Sequence, residues 1–203
     1  LQATEELKYT YGQTNILIDT QRFTPVPFDL FEDEQTEQLF YQNFQRTDNE
    51  TVLCNILGKS NIALIFGMDK HTHQLINESF PHARIFACTS PLIEYFTCQS
   101  REANNRRLYV LFHPNRMEVF ALDKGKLLLI NSFNSKHTSD HIYYLLYVWQ
   151  QLGYSQEKDQ LFLTGEVESK DALLAELKRF LRQVEFLPIQ STLSFDIQSL
   201  MTC

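Results

Sequence analysis

Residues 107–133 read RLYVLFHPNRMEVFALDKGKLLLINSF. Two short polar breaks divide this stretch, His113-Pro114-Asn115 and Asp123-Lys124-Gly125. The second carries turn chemistry, since Asp bonds nearby backbone and Gly tolerates positive φ. The runs on either side are rich in aromatic and aliphatic residues, which predicts strands over Arg107–His113, Arg116–Leu122 and Lys126–Phe133. Together they make a three-stranded meander.

Working downstream, Ser139 is placed to cap a helix that runs to Leu152 and ends at Gly153. Ile142, Leu145, Leu146, Trp149 and Leu152 form one apolar stripe. Tyr143, Tyr144, Tyr147 and Val148 cover most of the rest, so the helix is expected to be buried on two sides. A strand follows over Leu161–Thr164. Ser169 then caps an amphipathic helix with Leu173, Leu177, Phe180, Leu181 and Val184 on one face. A last strand is predicted over Glu185–Ile189. The order is β-β-β-α-β-α-β.

Upstream the pattern is less regular. Leu1–Tyr11 reads as the tail of a helix stopped by Gly12, and the lack of an initiator Met suggests preceding residues. Asn15–Asp19 reads as a short buried strand, and Pro25 and Pro27 impose extended chain. Asp29 with Glu32 resembles a capping box ahead of a helix over Glu32–Phe44. Thr51–Leu57 and Asn61–Phe66 read as a hairpin turned by Gly58-Lys59-Ser60. Thr72 is expected to cap a short helix reaching Phe80, and Arg84–Cys88 to be a strand. Ser90-Pro91 should open a helix toward Arg101. The polar run Glu102–Asn105 marks a boundary, giving one subdomain over 1–105 and another over 106–203.

Composition narrows the function. The chain has 203 residues, 25 Asp and Glu against 18 Lys and Arg, and a net charge of −7. That balance argues against a general nucleic-acid binder, which needs excess base to displace counterions. Only six glycines occur, and no two lie closer than nine positions apart. GxGxxG and P-loop motifs are therefore excluded. The four cysteines, Cys54, Cys88, Cys98 and Cys203, form no CxxC and read as free thiols in a cytoplasmic protein. No apolar run is long enough to cross a bilayer. His71, His73 and His82 offer possible ligands, but a helix cap at Thr72 would splay the first two, so no metal is expected. Arg101, Arg106 and Arg107 form a small basic cluster suited to an anion or an acidic partner.

The strand and helix order resembles one half of the actin-like ATPase fold, the ribonuclease H-like superfamily of actin, the seventy-kilodalton chaperones and the sugar kinases. The phrases Leu108–Phe112, Gly125–Leu128, Asn131–Phe133, Ile142–Leu146 and Leu163–Glu166 look like a Bacteroidetes family of unknown function with that fold. The resemblance implies an α/β architecture with mixed sheets. It also implies two related subdomains, the first incomplete at its N-terminus. It places the chain nearer the assembly-scaffold branch, with the pilus and secretion proteins, than the kinases.

The resemblance also locates where nucleotide chemistry would sit. Superfamily members approach phosphate with Asp-x-Gly in an opening hairpin, glycine being needed for close backbone approach. The matching stretch here is Leu111-Phe112-His113, with neither the acid nor the glycine. His113, Asn115 and Arg116 either meet a phosphate or simply flank a tight turn. The adenosine turn, usually a glycine pair, reads Thr164-Gly165-Glu166. Gly165 either preserves half of that turn or only ends a strand. Two functions follow as expectations. The first is a non-catalytic scaffold or protein-interaction module with degenerate nucleotide motifs, no required cofactor and an unidentified protein partner. The alternative is a nucleotide-binding ATPase or kinase-like protein taking ATP and magnesium. A small-molecule module using the cleft between subdomains is a third, weaker reading.

Overall fold

The computed structural model describes residues 12–187. Expectations for Leu1–Tyr11 and Cys203 fall outside the described residues. Contacts divide the chain into two compact units. Among the described residues, one holds 12–56 together with Ala63–Cys88; the other holds Leu57–Ile62 and 89–187. The boundary expected after Asn105 falls inside the second unit.

The second unit is built on the meander. Strands β6 (Arg107–His113), β7 (Arg116–Asp123) and β8 (Lys126–Asn134) pair antiparallel in sequence. Strand β9 (Gln160–Gly165) pairs parallel to β6, and β10 (Gln183–Phe186) pairs parallel to β9. The sheet order is β10-β9-β6-β7-β8. The β7–β8 turn has Lys124 at φ 49° and Gly125 at φ 80°, the double positive φ that suits a tight hairpin. The alternation of each strand sends Leu108, Val110 and Phe112 to one face with Met117, Val119, Leu161 and Leu163. Helices α4 (Thr138–Gln151) and α5 (Lys170–Leu177) cover that face with Leu145, Trp149, Leu173 and Leu177. On the opposite face Phe96 of helix α3 (Thr89–Ser100) stacks on Tyr109 at 4.3 Å and meets Phe120 at 5.0 Å.

In the first unit, β1 (Asn15–Ile18) pairs parallel with β5 (Arg84–Ala87). Strands β2 (Phe23–Pro27), β4 (Ile62–Asp69) and β3 (Glu50–Leu57) form a sheet in the order β2-β4-β3. The Asn55 side chain links β3 to β5: it donates to the Ile85 carbonyl at 2.9 Å and accepts from the Ala87 N–H at 3.0 Å. Helix α1 (Thr36–Asn43) buries Phe40 against Val26 and Ile65. Helix α2 spans Lys70–Ser79.

Several local expectations are corrected. Asp69, not Thr72, caps α2: its carboxylate accepts from the Thr72 N–H at 2.7 Å and from its hydroxyl at 2.9 Å. Ser90 lies within the first turn of α3, which starts at Thr89. Asp29 and Glu32 form no capping box; they fall in and beside two single 3-10 turns, Phe28–Leu30 and Asp33–Gln35. His137, not Ser139, precedes α4, and Asp140 reaches back to accept the His137 N–H at 3.3 Å. Ser169 does cap α5, accepting from the Ala172 N–H at 3.3 Å. That helix ends at Leu177, so Phe180 lies exposed and Val184 belongs to β10. A run of apolar residues at helical spacing continued past the helix because the turn and strand after it bury Leu181 and Val184 in the same core. Finally, α4 is covered on one side only: Tyr143 and Tyr147 face solvent.

Candidate functional site

The parallel register of β6 and β9 carries the six nucleotide-position residues to one end of the second unit's sheet. Leu111 of β6 pairs with Thr164 of β9 and with Glu118 of β7, and Glu118 pairs in turn with Ser132 of β8. Directly paired residues point to the same face, so Thr164, Glu118 and Ser132 line one row. His113 and Arg116 pair with each other two residues farther along, on that face. The carboxyl end of parallel strands is where open α/β sheets place their ligands.

At the centre of this end lies Glu118, 1% exposed. The His113 Nε2 and an Arg116 terminal nitrogen each stand 3.5 Å from its Oε1. Those are long ion pairs rather than hydrogen bonds. The other carboxylate oxygen, Oε2, has no hydrogen-bond partner, nor do the buried hydroxyls of Thr164 and Ser132. Buried polar atoms are normally satisfied, so each of these atoms suits an ordered water or a small polar group, with Leu111 standing between Thr164 and Glu118.

The remaining positions serve the backbone. The Asn115 carbonyl accepts the Ser135 N–H at 3.1 Å, tying the end of β8 to the β6–β7 turn. Gly165 has φ +95°, and a Cβ there would lie 2.2 Å from the Phe112 carbonyl oxygen. Its lack of a side chain is thus needed for β9 to close on β6. Glu166 points to solvent while its N–H donates to the same Phe112 carbonyl at 3.4 Å. The structure therefore brings His113 and Arg116 to one carboxylate, sets Thr164 two strands away across Leu111, and gives Asn115, Gly165 and Glu166 main-chain roles. Sequence reasoning missed Glu118. Its signal is a single acid inside the apolar strand Met117–Leu122, a position that alternation alone assigns to a buried face.

Behind the sheet, on the α4 side, His141 is 7% exposed, with its ring 4.8 Å from Phe112. Neither ring nitrogen has a hydrogen-bond partner. Burial pushes its pKa below the usual histidine range, outweighing the pull of the nearby Ser135 backbone and of the carboxylates of Asp140 and Glu168. The Asp140 carboxyl is itself held low, chiefly by the His137 backbone N–H it accepts.

The first unit carries a different polar arrangement. Arg22 grips Glu50 with two hydrogen bonds, Nε to Oε1 at 2.6 Å and a terminal nitrogen to Oε2 at 2.8 Å. It also donates to the Gln45 carbonyl at 2.8 Å and lies over the Phe44 ring at 4.9 Å. Gly67 makes room for this pair, because a Cβ there would fall 2.3 Å from Glu50 Oε1. A groove of about 460 Å³ opens beside it, lined in part by Thr20, Asn49, Asp69 and Thr72. Among the described residues no three His, Cys, Asp or Glu side chains converge as metal ligands.

The sheet order β10-β9-β6-β7-β8, with its antiparallel meander and parallel additions, defines an actin-like ATPase fold. Solved structures agree. A Bacteroides thetaiotaomicron protein with actin-like ATPase fold and unknown function matches with a TM-score of 0.93 and 44% identity, covering 100% of this chain and 78% of that one. A type IV pilus biogenesis complex of PilM and PilN matches at TM-score 0.57 and 10% identity, over 87% of this chain and 70% of that one, which bears on the fold alone. No curated protein sequence matches. The chain belongs to the family described as "Protein of unknown function (DUF3822)", whose profile matches residues 1–184. Among the described residues no helix is long and apolar enough to cross a membrane.

Proposed function

We propose that this protein is a non-catalytic actin-like scaffold or protein-interaction module whose nucleotide site is degenerate. Glu118 carries the reading. Where the fold's resemblance calls for a phosphate-facing Asp-x-Gly, this chain has a Pro114-Asn115 turn, and His113 and Arg116 turn inward onto a buried carboxylate. A buried negative charge there repels phosphate. Its claim on Arg116 also removes the cation that a phosphate would need. Gly165 supports the same reading, since its freedom is used by strand packing. ATP with magnesium therefore fits these residues poorly, and no chemical step is assigned to them.

The partner in this reading is another protein. The pilus relative of the same fold is described in a complex with PilN. A net charge of −7 disfavours nucleic acid. A cytoplasmic location belongs to the proposal, supported by the free thiols of Cys54 and Cys98.

Isothermal titration of the protein with ATP and Mg²⁺ tests the reading. The expected result is no binding heat at high micromolar nucleotide. A one-to-one isotherm with ATP turnover that Arg116→Ala abolishes would overturn it and favour the ATPase or kinase-like alternative.

A further inference from the structure

Helix α1 carries a groove on its outer side. Glu34, Glu37, Gln38, Tyr41 and Gln42 recur at helical spacing, so they share one face of the helix and of the turn before it. With Arg46 they line a groove of about 510 Å³. Tyr41 gives it an aromatic surface that is held still, because the ring packs on the core beneath and meets Phe40 edge-on at 5.2 Å. The surroundings are acidic. From Phe23 to Gln45 the chain has five acids, Asp29, Glu32, Asp33, Glu34 and Glu37, and no Lys or Arg. All five are exposed.

Arg46 shows what kind of group this groove holds. Its guanidinium lies over the Tyr41 ring at 4.8 Å and donates to Glu37 Oε2 at 2.7 Å. The Arg46 and Glu37 side chains are nevertheless 70% and 66% exposed. An ion pair so open to water gains little and restrains two long side chains, so a competing cation can displace it. Arg182 and Glu157 make a matched pair elsewhere, 2.9 Å apart and 73% and 70% exposed, with no ring beneath it among the described residues.

We infer that this groove docks an arginine-bearing segment of another protein, and that Arg46 is the chain's own placeholder for the incoming arginine. The inference rests on the scaffold reading and names the chemistry of its partner. Charge complementarity selects a basic segment, since five carboxylates crowd into the stretch from Asp29 to Glu37. Arginine is favoured over lysine because a planar guanidinium can lie on Tyr41 while its N–H groups reach a carboxylate. Glu34, three positions before Glu37 and on the same face, offers a second anchor, so a segment with two arginines fits better than one.

The test is fluorescence anisotropy of a labelled octapeptide carrying two arginines, titrated with the full chain. Binding should weaken about tenfold when Glu34→Gln and Glu37→Gln are combined, and should tighten about threefold when Arg46→Ala clears the groove. Arg182→Ala removes the same charge from the matched pair and should leave binding unchanged, which separates docking from attraction to a net charge of −7. The two-lysine peptide should bind about threefold more weakly. The substituted side chains are exposed, so unchanged thermal midpoints report that each variant folds. Equal effects of Arg46→Ala and Arg182→Ala would overturn the inference. So would a peptide that does not bind, or an Arg46→Ala chain that dimerises in sedimentation instead, which would give the groove to a second copy. None of these outcomes alters the expected ATP titration: failure of the groove leaves the scaffold reading standing, and ATP turnover would sink that reading with the peptide result intact.

Discussion

Glu50 and Glu118 are both carboxylates withdrawn from water, each with an arginine beside it, in different units of the chain. Glu50 has its two oxygens occupied by Arg22 at 2.6 and 2.8 Å, and Arg22 is further fixed by a carbonyl and an aromatic face. Glu118 is more deeply buried, yet its partners stand at 3.5 Å and one oxygen bonds nothing. Charge-assisted bonds gain their strength from short, bidentate geometry, and a buried charge without it mainly costs desolvation. The first arrangement holds a fold together. The second leaves a buried carboxylate loosely paired, with one oxygen unbonded.

The glycines beside the two carboxylates give the sharpest contrast. Gly165→Ala would drive a Cβ into the backbone carbonyl of Phe112 at a positive φ, and neither can move cheaply. We expect a loss of about 3 kcal/mol or more, read from urea midpoints. Gly67→Ala meets the flexible end of Glu50 and the tip of Phe40, so its expected cost is about 1–3 kcal/mol. Equal costs would mean that the two close approaches are not of different kinds.

The carboxylates themselves should then differ in sign. Glu50→Ala strands Arg22, whose side chain is one-third exposed, and should cost about 2–3 kcal/mol. Glu118→Gln removes a poorly paired buried charge while keeping the shape, and should leave stability unchanged or raise it by about 1 kcal/mol. A large loss at Glu118 would show that His113 and Arg116 hold it more firmly than their distances imply.

The smallest effect concerns pH. His141 is favoured neutral by burial, so the native chain binds fewer protons than the unfolded one below the ordinary histidine pKa of about 6.5. The stability this confers is full above that pH and is lost as pH falls toward the lowered native value. His141→Phe should flatten the slope of stability between about pH 7 and pH 5. An unchanged slope would place the titration elsewhere.

Much of the second unit was legible in the sequence because its signals are local. Strand alternation, the Asp-Lys-Gly turn and the Ser169 cap each act within a few residues. Caps at Asp69 and His137 were misassigned because several polar residues near each helix start can compete, and only backbone dihedrals decide among them. The α5 helix was drawn too long since one core absorbs both the helix and the strand after it. The pairing of Arg22 with Glu50 spans 28 positions and leaves no local pattern. Of the candidate site, six positions were marked by a missing motif, but that Glu118 is the carboxylate His113 and Arg116 face became plain only once β6 and β7 lay in register.

The outermost strand of the larger sheet carries one more consequence. β8 is nine residues long, rich in leucine, and among the described residues unpaired along one side, the kind of strand that recruits stray chains and seeds aggregates. Two details blunt it. The register shift opposite Ala121 and Leu122 leaves Leu128 as a bulge, and the Asn131 side chain accepts the N–H of Ser132 at 2.8 Å. An incoming strand meets a kink at one point and an already occupied donor at another. The strand thereby keeps a sticky sequence where the core needs it, and guards against stray pairing by spoiling the template rather than by hiding it.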